Sequence, residues 1–352
     1  DRSFDEHFAG KPDFVEVWQW RPGGLDPSLG APGSNTPGDD EWKVWRRGDL
    51  ENSTFSIPAA NAAYLIKLKA GAAAQTLSLK GKVVAPRVQW RSDGANLIGF
   101  PVKPGTSQQL NRYLGEAGLV DNNTEAFRYV GGPLDASNPV EGPIRLMNAR
   151  RGEAFWIRAD KYTNFYGPVS VDVVLDRGLN YGTRGTLKRV TFKNRTTEEV
   201  TVNVSLAPSE SAVDGTSVSP AALTVRERDG TSGLFNFVPL GNGRTLTVPA
   251  NGSVGLSFGL DRAAMGGAKG AKFSGLLKVT DSRDYSEIYL PITAEKTDFS
   301  GLWIGEARID RVQNQLQRFQ RNEDGTYVVD EDGNYVPLGG DTGVNKTAQE
   351  FK

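Results

Sequence analysis

The sequence predicts an all-β protein made of two related small β-modules, an antiparallel β-sandwich and a partial C-terminal β-unit. Three observations predict it. Residues 200–206, Val-Thr-Val-Asn-Val-Ser-Leu, put apolar side chains on strictly alternate positions, the period of a strand with one buried and one wet face. Short runs of this kind are separated by Asn-Gly and Asp-Gly pairs, in a chain whose 41 glycines and 19 prolines favour tight turns. Residues 63–67, Ala-Tyr-Leu-Ile-Lys, also match residues 154–158, Ala-Phe-Trp-Ile-Arg, position for position in chemistry.

The first module, residues 1–88, opens on Phe4 and Phe8, apolar residues four apart that read as a short helical turn. The alternation Trp18-Gln19-Trp20 follows, then a loop over residues 21–41 dense in Gly, Pro, Asp and Ser. Residues 63–67 form the next strand, and a further strand is expected at 77–84 around Gly81. The second module, residues 89–177, repeats this order. It has a helical turn at 107–114, the alternation Phe127-Arg128-Tyr129, a strand at 154–158, and another at 164–173 around Gly167. Unequal spacing between the copies is tolerable, because lengthening a surface loop costs little entropy.

The copies differ at their beginnings. Residues 96–103, Asn-Leu-Ile-Gly-Phe-Pro-Val-Lys, form a strand leading into the second helical turn, whereas the first helical turn starts at Ser3. A module lacking that strand exposes an edge prone to pairing. The strand is expected from upstream residues of a longer polypeptide or from a neighbouring subunit joined head to tail.

Residues 178–297 change to regular alternation, with strands expected at 187–192, 200–206, 222–226, 234–238, 244–248, 253–259, 273–280 and 287–294. The run Leu246-Thr-Val-Pro-Ala-Asn-Gly-Ser-Val-Gly-Leu-Ser-Phe258, then Phe273-Ser-Gly-Leu-Leu-Lys-Val279 and Ile288-Tyr-Leu-Pro-Ile292, resembles the late strands of bacterial Ig-like domains. The resemblance covers residues 180–295 and implies a fold, an Ig-like antiparallel sandwich, rather than an activity. Asn96-Leu-Ile-Gly-Phe-Pro-Val102 and Gly301-Leu-Trp-Ile-Gly-Glu306 resemble recurrent strands of secreted multi-domain bacterial surface proteins, a mostly uncharacterised family. That likeness implies an extracellular or cell-surface location and carries over no catalytic residue.

Residues 298–352 are expected to form a partial β-unit or docking tail, with a strand at 302–309 and a hairpin over 324–336. So few apolar side chains do not build an independent core.

Composition narrows the function classes. Lys and Arg total 41 against 42 Asp and Glu, well mixed, so the basic stripe of a nucleic-acid binder is absent. No 18-residue apolar run spans a membrane. The chain has no cysteine, which fits an oxidising exterior reached without disulfides. It starts at Asp1 without Met or a signal peptide, as a processed or excerpted chain would. Asn-x-Ser/Thr sequons begin at Asn52, Asn122, Asn194, Asn203, Asn251 and Asn345, and glycosylation is left open.

Candidate chemistry is sparse, and no catalytic residue is assigned. His7 is the sole histidine, so neither a His/Cys metal cluster nor a Ser-His-Asp triad is easily built. Asp341-Thr342-Gly343 matches an aspartic-protease tripeptide, but the partner loop that chemistry needs is missing. The Gly-rich stretch 266–272 lacks the adjacent Lys-Ser/Thr of a phosphate loop. Asp330, Asp332 and Asn334 alternate oxygen side chains around Gly333, a weak calcium candidate, although Asp-Gly is equally a hairpin turn. Otherwise no cofactor is expected. Trp18 and Trp20 share a strand face and are the candidate glycan-stacking pair; the competing reading packs them into the first module's core with Tyr64 and Ile66.

The reading favoured is an extracellular structural protein, a surface-layer, filament or matrix component acting through contacts with other subunits or copies of itself, and not an enzyme. A glycan- or surface-binding module is the alternative. A hydrolase using an unidentified carboxylate pair is third.

Overall fold

The computed structural model describes residues 2–20, 42–77, 79–92, 95–115, 118–121, 123–132, 140–173, 178–211, 218–231, 234–297 and 319–336. The chain forms two compact units, Asp1–Asp298 and Phe299–Lys352. Nearly all regular structure is strand, as the sequence predicts.

The first module begins with helix α1 (Phe4–His7), held by a capping box in which Ser3 and Glu6 satisfy each other's backbone N–H groups. Its sheet has the order β2-β1-β3, from β1 (Phe14–Trp20), β2 (Trp42–Arg46) and β3 (Leu65–Leu68). One face of this sheet packs on the helix, burying Phe4, Phe8, Phe14, Val17 and Trp45. Of residues 77–84, expected as a strand, the described ones (77 and 79–84) are not in strand conformation. Leu77 instead closes the α1 side of the core as an isolated side chain.

The second module contains β4 (Ala95–Gly99), β5 (Gln108–Gln109), α2 (Leu110–Gly115), β6 (Glu125–Arg128), β7 (Val140–Pro143), β8 (Asn148–Ala149) and β9 (Ala154–Arg158), with a 3-10 turn at Ile144–Leu146. Its main sheet has the order β4-β9-β6-β7, all antiparallel. Strands β7-β6-β9 correspond to β2-β1-β3 in sequence order, sheet order and direction, so the two modules share a topology. Leu110, Tyr113 and Leu114 of α2 are buried against this core, as Phe4 and Phe8 are in the first.

The sandwich packs two five-stranded sheets. One has the order β10-β12-β17-β14-β15, from β10 (Val169–Val173), β12 (Leu187–Asn194), β17 (Ser253–Leu260), β14 (Leu223–Arg228) and β15 (Phe235–Pro239). The other is β11-β19-β18-β13-β16, from β11 (Leu179–Gly182), β19 (Glu287–Glu295), β18 (Lys272–Asp281), β13 (Val200–Ala207) and β16 (Arg244–Val248). Val169–Val173, expected inside the second module, pairs with β12 instead, because Val171 and Val173 fill the sandwich core. Strand β11 runs parallel to β19, a departure from the antiparallel expectation.

In the second unit the described residues make two successive turns at Gly325 and Gly333, each closed by an isolated bridge, with the rings of Phe319, Tyr327 and Tyr335 meeting tilted or edge-on at 5.2–6.2 Å. The expected strand at 302–309 lies outside the described residues.

Candidate functional site

Trp18 and Trp20 do not form an exposed platform. They are 3% and 5% exposed and pack with Trp42, Trp156, Val44 and Ala95 in a cluster joining the two modules. The Trp20 and Trp156 rings lie 4.5 Å apart edge to face, and the Trp20 indole N–H donates to the Ala95 carbonyl at 3.0 Å. Their partners also differ from the expected Tyr64 and Ile66. Directly opposed residues of an antiparallel pair share a face. Trp18 opposes Leu65, whereas Ile66 opposes Val17 on the α1 side. The indoles therefore point away from the module core and against its neighbour.

Asp330 and Asp332 lie in an exposed turn, where one Asp330 carboxylate oxygen accepts the backbone N–H groups of Asp332 at 3.0 Å and Asn334 at 2.8 Å. That oxygen serves the turn. No group of three His, Cys, Asp or Glu able to hold a metal occurs among the described residues. His7 sits on α1 with its pKa lowered chiefly by partial burial. Asp341 lies outside the described residues. Of the sequons, Asn194 is 2% exposed and is tied to the Glu198, Val248 and Pro249 carbonyls, which leaves no room for a glycan.

The feature that stands out is the outer edge of β3. In the second module β9 lies between β6 and β4, and Ile157 and Phe155 are 1% and 0% exposed. Strand β4 pairs Asn96 with Ile157 and Ile98 with Phe155, and Ile98, Phe100 and Val102 enter the core. In the first module β3 pairs with β1 alone among the described residues. Ile66, the counterpart of Ile157, is 40% exposed, and Tyr64, the counterpart of Phe155, is only partly buried. Among the described residues the first module thus has one strand fewer beside β3 than the second has beside β9, and the exposure of Ile66 follows from it. Residue exposure depends on the neighbouring strand, so the sequence alone did not mark Ile66 as the residue left uncovered.

A second feature is an open cleft of about 420 Å³ lined by Arg87, Gln89, Tyr162, Asn164, Tyr166 and Asp172. Tyr162 is 58% exposed there.

No protein-family model matches the chain, and no curated protein does. Among solved structures it is similar to the PapD-like domain 7 of human CEP192, at 11% identity over 38% of this chain and 87% of that one, with a TM-score of 0.23. It is also similar to a chain from the Salmonella enterica SafA pilin–SafB chaperone complex, at 13% identity over 37% of this chain and 55% of that one, TM-score 0.23. The CooA pilin subunit of enterotoxigenic Escherichia coli gives 13% identity over 37% and 99%, TM-score 0.24. The chain spans about half the length of the Salmonella structure it matches. Scores at this level do not bear on function. No helix among the described residues is long and apolar enough to cross a membrane.

Proposed function

We propose that the protein is a non-catalytic structural component of an extracellular assembly, working through contacts between protein subunits. The observation that carries this reading is the outer edge of β3, unpaired among the described residues, where Ile66 is 40% exposed against 1% for its counterpart Ile157. An unpaired strand with apolar side chains is a template for another chain. Charge composition and the absence of cysteine are compatible with an exported protein. Light scattering and negative-stain electron microscopy over a concentration series test the proposal. Concentration-dependent oligomers or fibres are the expected result, and a monomer at every concentration overturns it.

Glycan binding is the second reading, now favoured by the cleft at Tyr162 rather than by Trp18 and Trp20. An exposed aromatic ring beside Arg87, Gln89, Asn164 and Asp172 offers both stacking and hydrogen bonding to a sugar. A glycan array decides it: binding abolished by Tyr162→Ala supports this reading, and an array with no binding removes it.

A further inference from the structure

We propose that the outer edge of β3 accepts residues 302–305 of a second copy of this chain as an added strand. This rests on the assembly reading above and names its contact. The first argument is what the second module requires at the corresponding place. There β4 reads Asn96-Leu97-Ile98-Gly99, antiparallel to β9, with Ile98 opposite Phe155 and Asn96 opposite Ile157. Leu97 packs beside Trp156 on the other face, and a Cβ on Gly99 would sit 3.2 Å from the Glu153 carbonyl, so a small residue fits there with least adjustment. An occupant of the first module therefore fits best with an apolar residue facing the aromatic cluster, an aliphatic residue facing Tyr64, and a small residue next.

Leu302-Trp303-Ile304-Gly305 supplies this order. Set in the register of β4, Ile304 falls opposite Tyr64 and Leu302 opposite Ile66, the residue most in need of cover. Trp303 falls on the face of Leu65, where Trp18, Trp20 and Trp42 already cluster. Gly305 repeats the small residue of Gly99.

The donor belongs to the compact unit Phe299–Lys352, apart from the unit that carries the acceptor edge. An acceptor on one unit and a donor on the other make a heterologous contact, which closes into a ring or continues from copy to copy as a filament. Strand addition also gives affinity through main-chain hydrogen bonds while alternate side chains set the register.

The absence of cysteine permits a clean test in the full-length chain. Chains carrying Ile66→Cys are mixed with chains carrying Leu302→Cys and oxidised. Opposed residues in an antiparallel pair bring Cα atoms within disulfide reach. The expected result is a covalent dimer of the two chains that forms at least tenfold less with Lys67→Cys in place of Ile66→Cys, since that residue faces the other way. Tryptophan fluorescence melts of each variant confirm that the fold is intact. If a chain carrying both Ile66→Cys and Leu302→Cys closes only within itself, the second copy is the wrong donor and the proposal falls. If full-length protein assembles without any such crosslink, the proposal falls and the assembly reading stands. If the protein is monomeric and uncrosslinked throughout, both fall.

Discussion

The four indoles between the first two modules are not equivalent, and their N–H groups say why. Trp20 donates to the buried Ala95 carbonyl, while the Trp42 and Trp156 N–H groups are buried without a hydrogen-bond partner. Losing a buried partner costs about 1–3 kcal/mol, so Trp20→Phe is expected to destabilise by about that much more than Trp42→Phe. Urea denaturation of the two variants checks the difference. Asp281 gives a second prediction. Burial raises its pKa, against the lowering effect of backbone N–H groups of Tyr285, Ser286 and Arg283. With the folded value above the unfolded one, the native state holds the extra proton between them, so stability falls as pH rises through that window. Comparing wild type with Asp281→Asn at pH 4 and pH 7 isolates this carboxyl, and the variant is expected to lose less between the two. For Asp330, whose carboxylate already accepts two turn N–H groups, millimolar calcium is expected to leave the melting temperature unchanged. A rise abolished by Asp332→Ala would contradict that.

Strand β3 is short and half exposed because, among the described residues, it has one neighbour where β9 has two. Its polar face is settled locally: Lys67 pairs with Glu16 at 3.1 Å, and Glu16 also accepts the Trp18 indole N–H at 2.8 Å. The α1 side carries the deficit. Ile66→Asp should cost folding stability about 1 kcal/mol, chiefly through the poor strand propensity of Asp. It should nevertheless suppress assembly, because a charge on an edge blocks strand pairing. Sedimentation velocity beside a thermal melt separates the two effects. Assembly unchanged by Ile66→Asp would place the subunit contact elsewhere.

Across the first unit the cores are distinct but bridged in two different ways. The first and second modules meet through aromatic rings at Trp18, Trp20, Trp42 and Trp156. The second module and the sandwich meet through the turn between β18 and β19. Asp284 pairs with Lys103 at 2.6 Å, the Glu287 N–H donates to the Pro101 carbonyl, and Arg151 reaches the carbonyls of Val102 and Glu287. Removing a buried indole costs about 3–5 kcal/mol. Trp156→Ala is expected to lower hydrogen-exchange protection in β1, β2 and β4 while β12, β13 and β18 keep theirs. Uniform loss across the sandwich would show one cooperative unit instead.

The sandwich was legible almost strand by strand, since alternation in 200–206 or 244–248 is a local consequence of one face meeting a core and the other water. So was the repeat, because like modules need like residues at like positions. Tertiary structure decided what periodicity does not encode. Alternation places Trp18 and Trp20 on one face but does not say whether that face meets its own module, a sugar or a neighbour. The strand Val169–Val173 reads as apolar in either domain, and only its pairing with β12 assigns it to the sandwich. Ile66 and Ile157 stand in local sequences of like chemistry, yet one is exposed and the other buried, because burial is set by whether a strand lies alongside, and among the described residues none lies beyond β3.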